Sequence, residues 1–327
     1  MQRRTVLGIV ATSVLAPVLK GHGQAPAKPL IGFLCGKSPD KDQPQIAAFW
    51  KGLNAAGFVN GANVDSHYEW ANGDYTQFPS LARNLVAEHV TLIVGIGTTP
   101  AALAAKAATT QIPIVFIVGS DPVQLGLVAA LNRPGGNLTG VTFLNRTLVP
   151  KQFEILHEIL PRADRLGFLL NPYNPYATAD ENDARKALDH FDVKLAIGRA
   201  STMEEVDAAM DALLQSRVQG FTVAGDLLLD SQHDKIISFA ARNAIPVIYP
   251  WHEAVTAGGL LSYGTSRQAA YEQAGRYAGR ILKGAKAGDL PVQQATRFEL
   301  AMNLKTAKAL GMTMPPALLA RADDVLE

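Results

Sequence analysis

The sequence has a single cysteine, Cys35, among its 327 residues. One cysteine excludes an intrachain disulfide, so the cysteine content does not report the redox compartment. Cys35 follows Gly32, Phe33 and Leu34 inside a predicted strand. It lacks the neighbours typical of a catalytic nucleophile, and we interpret it as a small buried hydrophobe.

The sequence also lacks an excess of charge of either sign. The chain has 30 Lys+Arg against 29 Asp+Glu, a formal net charge of +1, and its basic residues are scattered. Proteins that bind nucleic acid normally concentrate basic residues on one face. The composition therefore argues against a nucleic-acid partner.

The motifs of common enzyme classes are absent from the sequence. It has no Gly-x-Ser-x-Gly, no phosphate loop with Lys-Ser/Thr and no His-Glu-x-x-His. The 7 histidines show no pairing at metal-ligand spacing. We therefore predict a protein that is not an enzyme, with no catalytic residue, no metal site and no cofactor.

The apolar run at the N-terminus, Val6 to Leu19, is too short to span a bilayer comfortably. Arg3 and Arg4 precede it, and small residues within 23–27 follow it. This pattern is typical of a secretory signal, the alternative being an uncleaved anchoring helix. We predict that residues 1–27 are a signal peptide and that the protein reaches the periplasm by the Sec or twin-arginine route.

In the rest of the chain, short β-branched apolar runs alternate with amphipathic segments, which predicts βαβ units and parallel sheets. The predicted strands fall into two series: 30–35, 63–69, 91–96, 113–118 and 138–143, then 165–170, 192–198, 218–224, 245–249 and 259–263. The predicted helices are 43–57, 148–160, 178–190, 202–216, 231–243 and 266–283, and residues 296–310 read as a strand and then a helix.

Two similar series predict an α/β fold with two Rossmann-like lobes, parallel sheets and a cleft between the lobes. We expect residues 28–145 and 265–288 to form the N-terminal lobe. Residues 146–264 and 289–327 are expected to form the C-terminal lobe.

Ligands of open parallel sheets bind beyond the carboxyl ends of the strands, where loops and helix N-termini converge. The polar, turn-forming residues at the predicted strand ends are therefore candidates. Those selected are Gly36, Ser38, Thr98, Thr99, Asp121, Asn171, Asp226 and Glu253.

Among these candidates, Thr98 and Thr99 precede Pro100, which suits the first position of a helix. Such a helix start presents hydroxyls and backbone N–H groups to a carboxylate or another anion. The alternative is ordinary capping of the helix by Thr99, and the two roles are compatible.

The three candidate acids, Asp121, Asp226 and Glu253, have the same pair of interpretations: contact with a ligand amine or hydroxyl, or a turn or cap. Aromatic residues stand beside the same strand ends, where they either stack on a ligand or pack the rims of the lobes. They are Tyr173, Tyr176, Tyr249, Trp251 and Tyr263.

Several motifs taken in order resemble one known family. They are Pro29-Leu-Ile-Gly-Phe-Leu, Gly97-Thr-Thr-Pro-Ala-Ala, Ile112-Pro-Ile-Val-Phe, Asp121-Pro-Val, Asn132-Arg-Pro-Gly-Gly-Asn-Leu-Thr-Gly, Asn171-Pro, Ser262-Tyr-Gly and Asn303-Leu-Lys-Thr-Ala.

 The set covers nearly the whole chain after the leader, and it resembles the ABC transporter substrate-binding proteins that include the tryptophan- and tyrosine-associated receptors.

The resemblance implies a type I periplasmic-binding fold whose lobes close on a ligand like a hinged trap. It implies that Asn137-Leu-Thr-Gly-Val is the first crossing between the lobes and that the strand-end candidates line the cleft. In members that take amino acids, Thr98 and Thr99 are the residues that match the carboxylate site. The implied partners are a small-molecule ligand and the membrane permease of an ABC transporter, and we expect a monomer.

Two other classes of function share this architecture. A Rossmann-type enzyme would place a glycine-rich turn after the first strand and an acid at the end of the second, which Cys35-Gly-Lys-Ser and Glu69 imitate poorly. A ligand-sensing regulator would need a DNA-binding helix-turn-helix before residue 30, where the predicted leader stands.

Overall fold

The computed structural model describes residues 28–143, 148–174 and 176–327. The predicted signal peptide, residues 1–27, and the predicted lobe boundary at residues 145–146 lie outside the described residues. No helix in the described part of the chain is long and apolar enough to cross a bilayer.

The first lobe is built on a parallel sheet, because nearly every strand is followed by a segment that crosses back over the sheet before the next strand. Its strands are β1 (Leu30–Cys35), β2 (Asp65–Trp70), β3 (Leu92–Ile96), β4 (Ile114–Val118), β5 (Leu138–Thr142) and β11 (Gln293–Gln294). Its helices are α1 (Pro39–Ala55), α2 (Phe78–Ala87), α3 (Thr99–Ala108) and α10 (Arg267–Leu282). The strand order is β11-β5-β4-β3-β1-β2, with parallel pairing throughout.

The second lobe repeats the arrangement. Its strands are β6 (Arg165–Leu170), β7 (Lys194–Arg199), β8 (Phe221–Val223), β9 (Val247–Tyr249), β10 (Leu261–Thr265), β12 (Phe298–Asn303) and β13 (Asp324–Leu326). Its helices are α4 (Val149–Ile159), α5 (Ala177–Asp189), α6 (Glu205–Gln215), α7 (Leu227–Ser231), α8 (His233–Arg242), α9 (His252–Thr256), α11 (Leu304–Ala309) and α12 (Pro316–Leu319).

The order of the second sheet is β13-β12-β10-β9-β8-β6-β7, and only β12 runs antiparallel to its neighbour β10 among the described pairs. The run β7-β6-β8-β9-β10 matches β2-β1-β3-β4-β5 of the first lobe. The predicted α/β fold with two Rossmann-like lobes is therefore confirmed.

Both faces of the first sheet are covered, which explains why its strands are apolar without alternation. Phe33 and Leu34 are neighbours on β1, point to opposite faces, and are both fully buried. Phe33 packs in a cluster with Phe49 of α1 and Tyr277 of α10. Leu34 packs in a second cluster with Leu85 of α2.

The structure corrects two details of the predicted lobe organisation. Residues 137–141, expected to be the first crossing, belong to the first sheet, because β5 pairs with β4. Residues 293–294, expected in the C-terminal lobe, form β11 on the free edge of β5. The hydroxyl of Thr139 donates to the carbonyl of Leu290, and this anchors the approach to β11 in the first lobe.

The described segments that connect the lobes lie side by side. Strand β10 of the second lobe ends at Thr265, and α10 of the first lobe begins at Arg267. The chain returns between Gln294 of β11 and Phe298 of β12. Ser266 donates its backbone N–H to the carbonyl of Arg297 at 2.9 Å, so the two connections are joined where the lobes meet.

Candidate functional site

A cavity of about 490 Å³ lies between the carboxyl ends of the two sheets. The first lobe contributes loop and helix-start residues to its wall, among them Gly36, Lys37, Asp42, Thr98, Thr99 and Ser120. The second lobe contributes Asn171, Tyr173, Asn174, Tyr176, Asp226 and Trp251. The cavity is therefore the interlobe cleft that the architecture predicts.

The structure brings together most of the predicted site residues in this cavity. Gly36, Thr98, Thr99, Asn171 and Asp226 all line it, and they come from both lobes. These residues stand at the ends of strands, as the rule for open parallel sheets requires.

Three predicted site residues do not line the cavity, and each has a local role instead. The carboxylate of Asp121 accepts the backbone N–H groups of the next turn, at 2.8 Å from Val123. Ser38 stands at the N-cap position of α1, and its hydroxyl hydrogen-bonds the Asp40 carboxylate and lowers the pKa of that group. Glu253 lies 3.9 Å from Arg267 and lines a neighbouring groove.

The start of α3 is capped differently from the prediction. The N-cap is Thr98 rather than Thr99: its hydroxyl is buried and accepts the backbone N–H of Ala101 at 3.1 Å. Pro100 has no N–H to offer. The Thr99 hydroxyl donates to the Ser120 hydroxyl at 3.3 Å, so two hydroxyl groups stand together at the positive end of this helix.

On the opposite lobe, Asp226 is the centre of a small hydrogen-bond network. Its carboxylate accepts the backbone N–H of Leu228 at 2.9 Å and so caps α7. The side-chain amide of Asn174 donates to it at 2.9 Å, and that of Asn171 at 3.3 Å. Three donors fix the carboxylate in the wall of the cavity, where it remains an acceptor for a cationic group.

Two tyrosines that sequence reasoning missed also line the cavity, Tyr75 and Tyr271. Burial raises the pKa of both phenols, and for Tyr75 the charge of Asp226 raises it further. Both therefore carry neutral hydroxyls at physiological pH. A Cβ added to Gly97, which has φ of +70°, would lie 2.6 Å from the Tyr271 hydroxyl, so this position needs glycine for backbone and for space.

The aromatic candidates divide between the two roles that the sequence left open. Tyr173, Tyr176 and Trp251 line the cavity. Tyr249 is buried in the core of the second lobe, and Tyr263 packs against that core. Position at a strand end alone did not separate these two groups.

Polar contacts join the two lobes across the cleft. Lys37 donates to the carboxylate of Asp230 at 2.7 Å. The backbone N–H of Asp121 donates to the Tyr176 hydroxyl at 2.9 Å. The lobes therefore touch through side chains, and the cleft is closed over the cavity.

Asp42 is a buried carboxylate in the wall of the cavity, only 4% exposed. Burial raises its pKa, while the charge and the backbone N–H of Lys37 act in the opposite direction. A raised pKa means that folding favours the protonated form. The stability that this form contributes is present below the unfolded pKa and is lost as the pH rises through the folded pKa.

Replacement of Asp42 with asparagine is therefore expected to raise the melting temperature at neutral pH. It should also flatten the fall in stability above about pH 4, the usual pKa of an aspartate. Thermal unfolding followed by circular dichroism across this range measures both effects. Asp40→Asn is the control: Asp40 is exposed in the same first turn, its pKa is lowered, and this variant should not be stabilised.

Among the described residues, no group of three or more His, Cys, Asp or Glu side chains could hold a metal ion. The polar groups of the cavity are instead hydroxyls, amides, the carboxylates of Asp42 and Asp226, and paired charges. Such a wall suits a small polar molecule that is held by hydrogen bonds.

Two α/β lobes with a cleft at the carboxyl ends of their strands have the type I periplasmic-binding fold. The family model described as "ABC transporter substrate binding protein" matches residues 38–326. The chain belongs to this family, as its ordered motifs predict.

The chain is similar over most of its length to proteins whose ligands are named. A tyrosine-binding protein of Clostridioides difficile (strain R20291) is 31% identical over 267 residues, which cover 81% of this chain and 75% of that protein. A domain from Streptococcus pneumoniae solved in complex with L-Trp is 24% identical, with a TM-score of 0.81, and covers 92% of this chain and 100% of that one. The second similarity shows the fold alone.

A third relative is the ligand-free, open structure of a substrate-binding protein with adhesive properties from Clostridium difficile. It is 28% identical and covers 91% of this chain and 99% of that one, with a TM-score of 0.69.

Proposed function

We propose that the protein is an exported solute-binding protein of an ABC importer. Its ligand is a small molecule with a carboxylate, an amine and an aromatic or apolar body, which the two lobes enclose by hinged closure. The observation that carries this proposal is a pair of anchors on opposite walls of the cavity: a helix start with the Ser120 hydroxyl on the first lobe, and a hydrogen-bonded carboxylate on the second.

The carboxylate of the ligand is assigned to the start of α3. The Ser120 hydroxyl, which accepts from Thr99, keeps its own hydrogen as a neutral donor, and the positive end of the helix favours an anion beside it. Thr98 caps the helix through its hydroxyl oxygen, which accepts the backbone N–H of Ala101, and so it shapes this site.

The amine of the ligand is assigned to Asp226. Its carboxylate is fixed by Asn171, Asn174 and the start of α7, so it is already in place when an ammonium group arrives. Anchoring from opposite lobes means that a ligand with both groups gains its full binding energy only in the closed state.

The body of the ligand lies between these anchors, where Tyr75, Phe143 and Trp251 contribute aromatic faces to the wall. The cavity volume, about 490 Å³, falls in the range of roughly 300–1,000 Å³ that is usual for small-molecule sites. The relatives support an aromatic amino acid as the first molecule to test, since one is named tyrosine-binding and another was solved with L-Trp.

Calorimetric titration of the purified protein with L-tyrosine and L-tryptophan tests the proposal. Tyramine, which lacks the carboxylate, and 3-(4-hydroxyphenyl)propionic acid, which lacks the amine, are the matched comparisons for L-tyrosine. We expect at least one of the two amino acids to bind and no ligand to be turned over. If L-tyrosine binds, each of its truncated analogues should bind at least about tenfold more weakly.

ATP and NAD serve as the control for a Rossmann-type enzyme. Stabilisation by a nucleotide alone, with no response to any amino acid, contradicts the proposal.

A further inference from the structure

Asp230 of α7 is the centre of an ion cluster that joins the two lobes. Lys37 Nζ lies 2.7 Å from Asp230 Oδ2. The guanidinium of Arg267 donates to both oxygens of the same carboxylate, at 3.3 and 3.1 Å. Lys37 follows β1 and Arg267 begins α10, so both cations belong to the first lobe, whereas Asp230 belongs to the second.

The cluster is shielded from solvent. The side chains of Asp230, Arg267 and Lys37 are 7%, 13% and 19% exposed. Burial opposes the charge of Asp230, but the charges of Arg267 and Lys37 outweigh it and lower the pKa of this carboxyl below its usual range. Asp230 is therefore ionised at physiological pH, with two cations drawn onto it.

Both cations also belong to the wall of the ligand cavity, whereas Asp230 lies behind them. The guanidinium of Arg267 lies 3.8 Å from the centroid of the Trp251 ring, which lines the cavity from the second lobe. The backbone N–H of Lys37 donates to Asp42 at 3.1 Å. The position of Asp230 therefore fixes side chains that a ligand meets on both lobes.

A hinged opening of the cleft would separate α7 from the end of β1 and so break the contact between Lys37 and Asp230. In the closed state the Asp230 carboxylate attracts two cations. Its Coulombic attraction is therefore larger than in a single ion pair, while only one anion has to be desolvated. A bidentate guanidinium also restricts the geometry in which the lobes can meet. The cluster thus favours one closed arrangement.

Resting on the proposed function, we propose that Asp230 is a positioning residue for ligand binding, which ties Lys37 and Arg267 to the second lobe and so stabilises the closed cleft. Asp230 acts through closure and not through the ligand. Its removal is therefore expected to weaken all ligands of the cleft by a similar factor.

The test compares Asp230→Asn with the unmodified protein. Small-angle X-ray scattering of the ligand-free proteins should show a larger radius of gyration for the variant. Calorimetry with L-tyrosine and L-tryptophan should show a Kd raised roughly 5- to 150-fold for either one that binds, the usual range of a coupling between two states. If both bind, the ratio of their Kd values should not change.

Asp207→Asn is the matched control, because Asp207 pairs with Lys235 at 3.1 Å within the second lobe. Lys37→Met breaks the same bridge from the first lobe and should also expand the ligand-free protein, so the test survives a poorly folded Asp230 variant. Equal radii for the unmodified protein and both cluster variants overturn the proposal, as does an equal expansion of the Asp207 variant. The scattering result does not depend on the ligand, so it separates this proposal from the proposed function.

Discussion

Replacement of Asp226 with asparagine is expected to raise the Kd for an amino-acid ligand by roughly two to four orders of magnitude. The ammonium group of the ligand then enters a closed cavity without its counter-ion, and loss of one partner of a buried pair costs about 3–5 kcal/mol. Asparagine is as good an N-cap as aspartate, so α7 should keep its start and the fold should be retained. Calorimetric titration measures the effect.

The ligand analogue that lacks the amine isolates the charge. Its affinity should be nearly the same for the Asp226→Asn variant and the unmodified protein, because it has no ammonium group to lose. Asp234→Asn is the control for a general change of charge, since its side chain is 86% exposed on α8. A variant at Asp226 that binds the amino acid within about threefold of the unmodified protein contradicts the assignment.

The location of the cavity was predictable from the sequence for a simple topological reason. The carboxyl ends of parallel strands meet along one edge of a sheet, and polar turn residues there stand out against apolar strands. Thr98 and Thr99 follow β3, Asn171 follows β6 and Asp226 follows β8 by a few residues. A pattern of strands was therefore enough to place them in one cavity.

The orientation of individual side chains was not predictable in this way. Asp121 also follows a strand, yet its carboxylate accepts N–H groups of its own turn. Thr98 lines the cavity, yet its hydroxyl caps α3. Residue type and position are the same for a ligand contact and for a cap, so only the local backbone distinguishes them.

The ion cluster was missed because its members are remote in sequence. Lys37 and Asp230 are 193 residues apart, and each taken alone resembles an ordinary surface charge. Asp42 lies just outside the helix predicted at 43–57, whereas α1 begins at Pro39 and turns Asp42 toward the cleft. Pairing between lobes depends on how the lobes meet, which periodicity within one segment does not encode.

The framework of the fold depends on a close contact between α1 and α10. A Cβ built on Gly52 of α1 would lie 1.9 Å from the carbonyl oxygen of Glu272 on α10. A Cβ built on Gly275 of α10 would lie 2.0 Å from the carbonyl oxygen of Phe49 on α1. The obstacle in each case is backbone, which a change of rotamer does not relieve. The two helices therefore touch backbone to backbone at these glycines.

Replacement of Gly275 with alanine is consequently expected to destabilise the protein by about 3 kcal/mol, the upper part of the usual range for overpacking. The direction is informative, because alanine in a helix interior is intrinsically better than glycine by about 1 kcal/mol. Urea unfolding followed by circular dichroism measures the change. Gly95→Ala is the control: Gly95 is buried in the same lobe, and its added Cβ would meet no atom closer than 3.6 Å. A Gly275→Ala variant as stable as Gly95→Ala would mean that α1 and α10 can separate without loss of stability.

Because α10 begins with Arg267, a separation of α1 and α10 would also move the ion cluster. The stability of this helix pair and the closure of the cleft are therefore expected to change together.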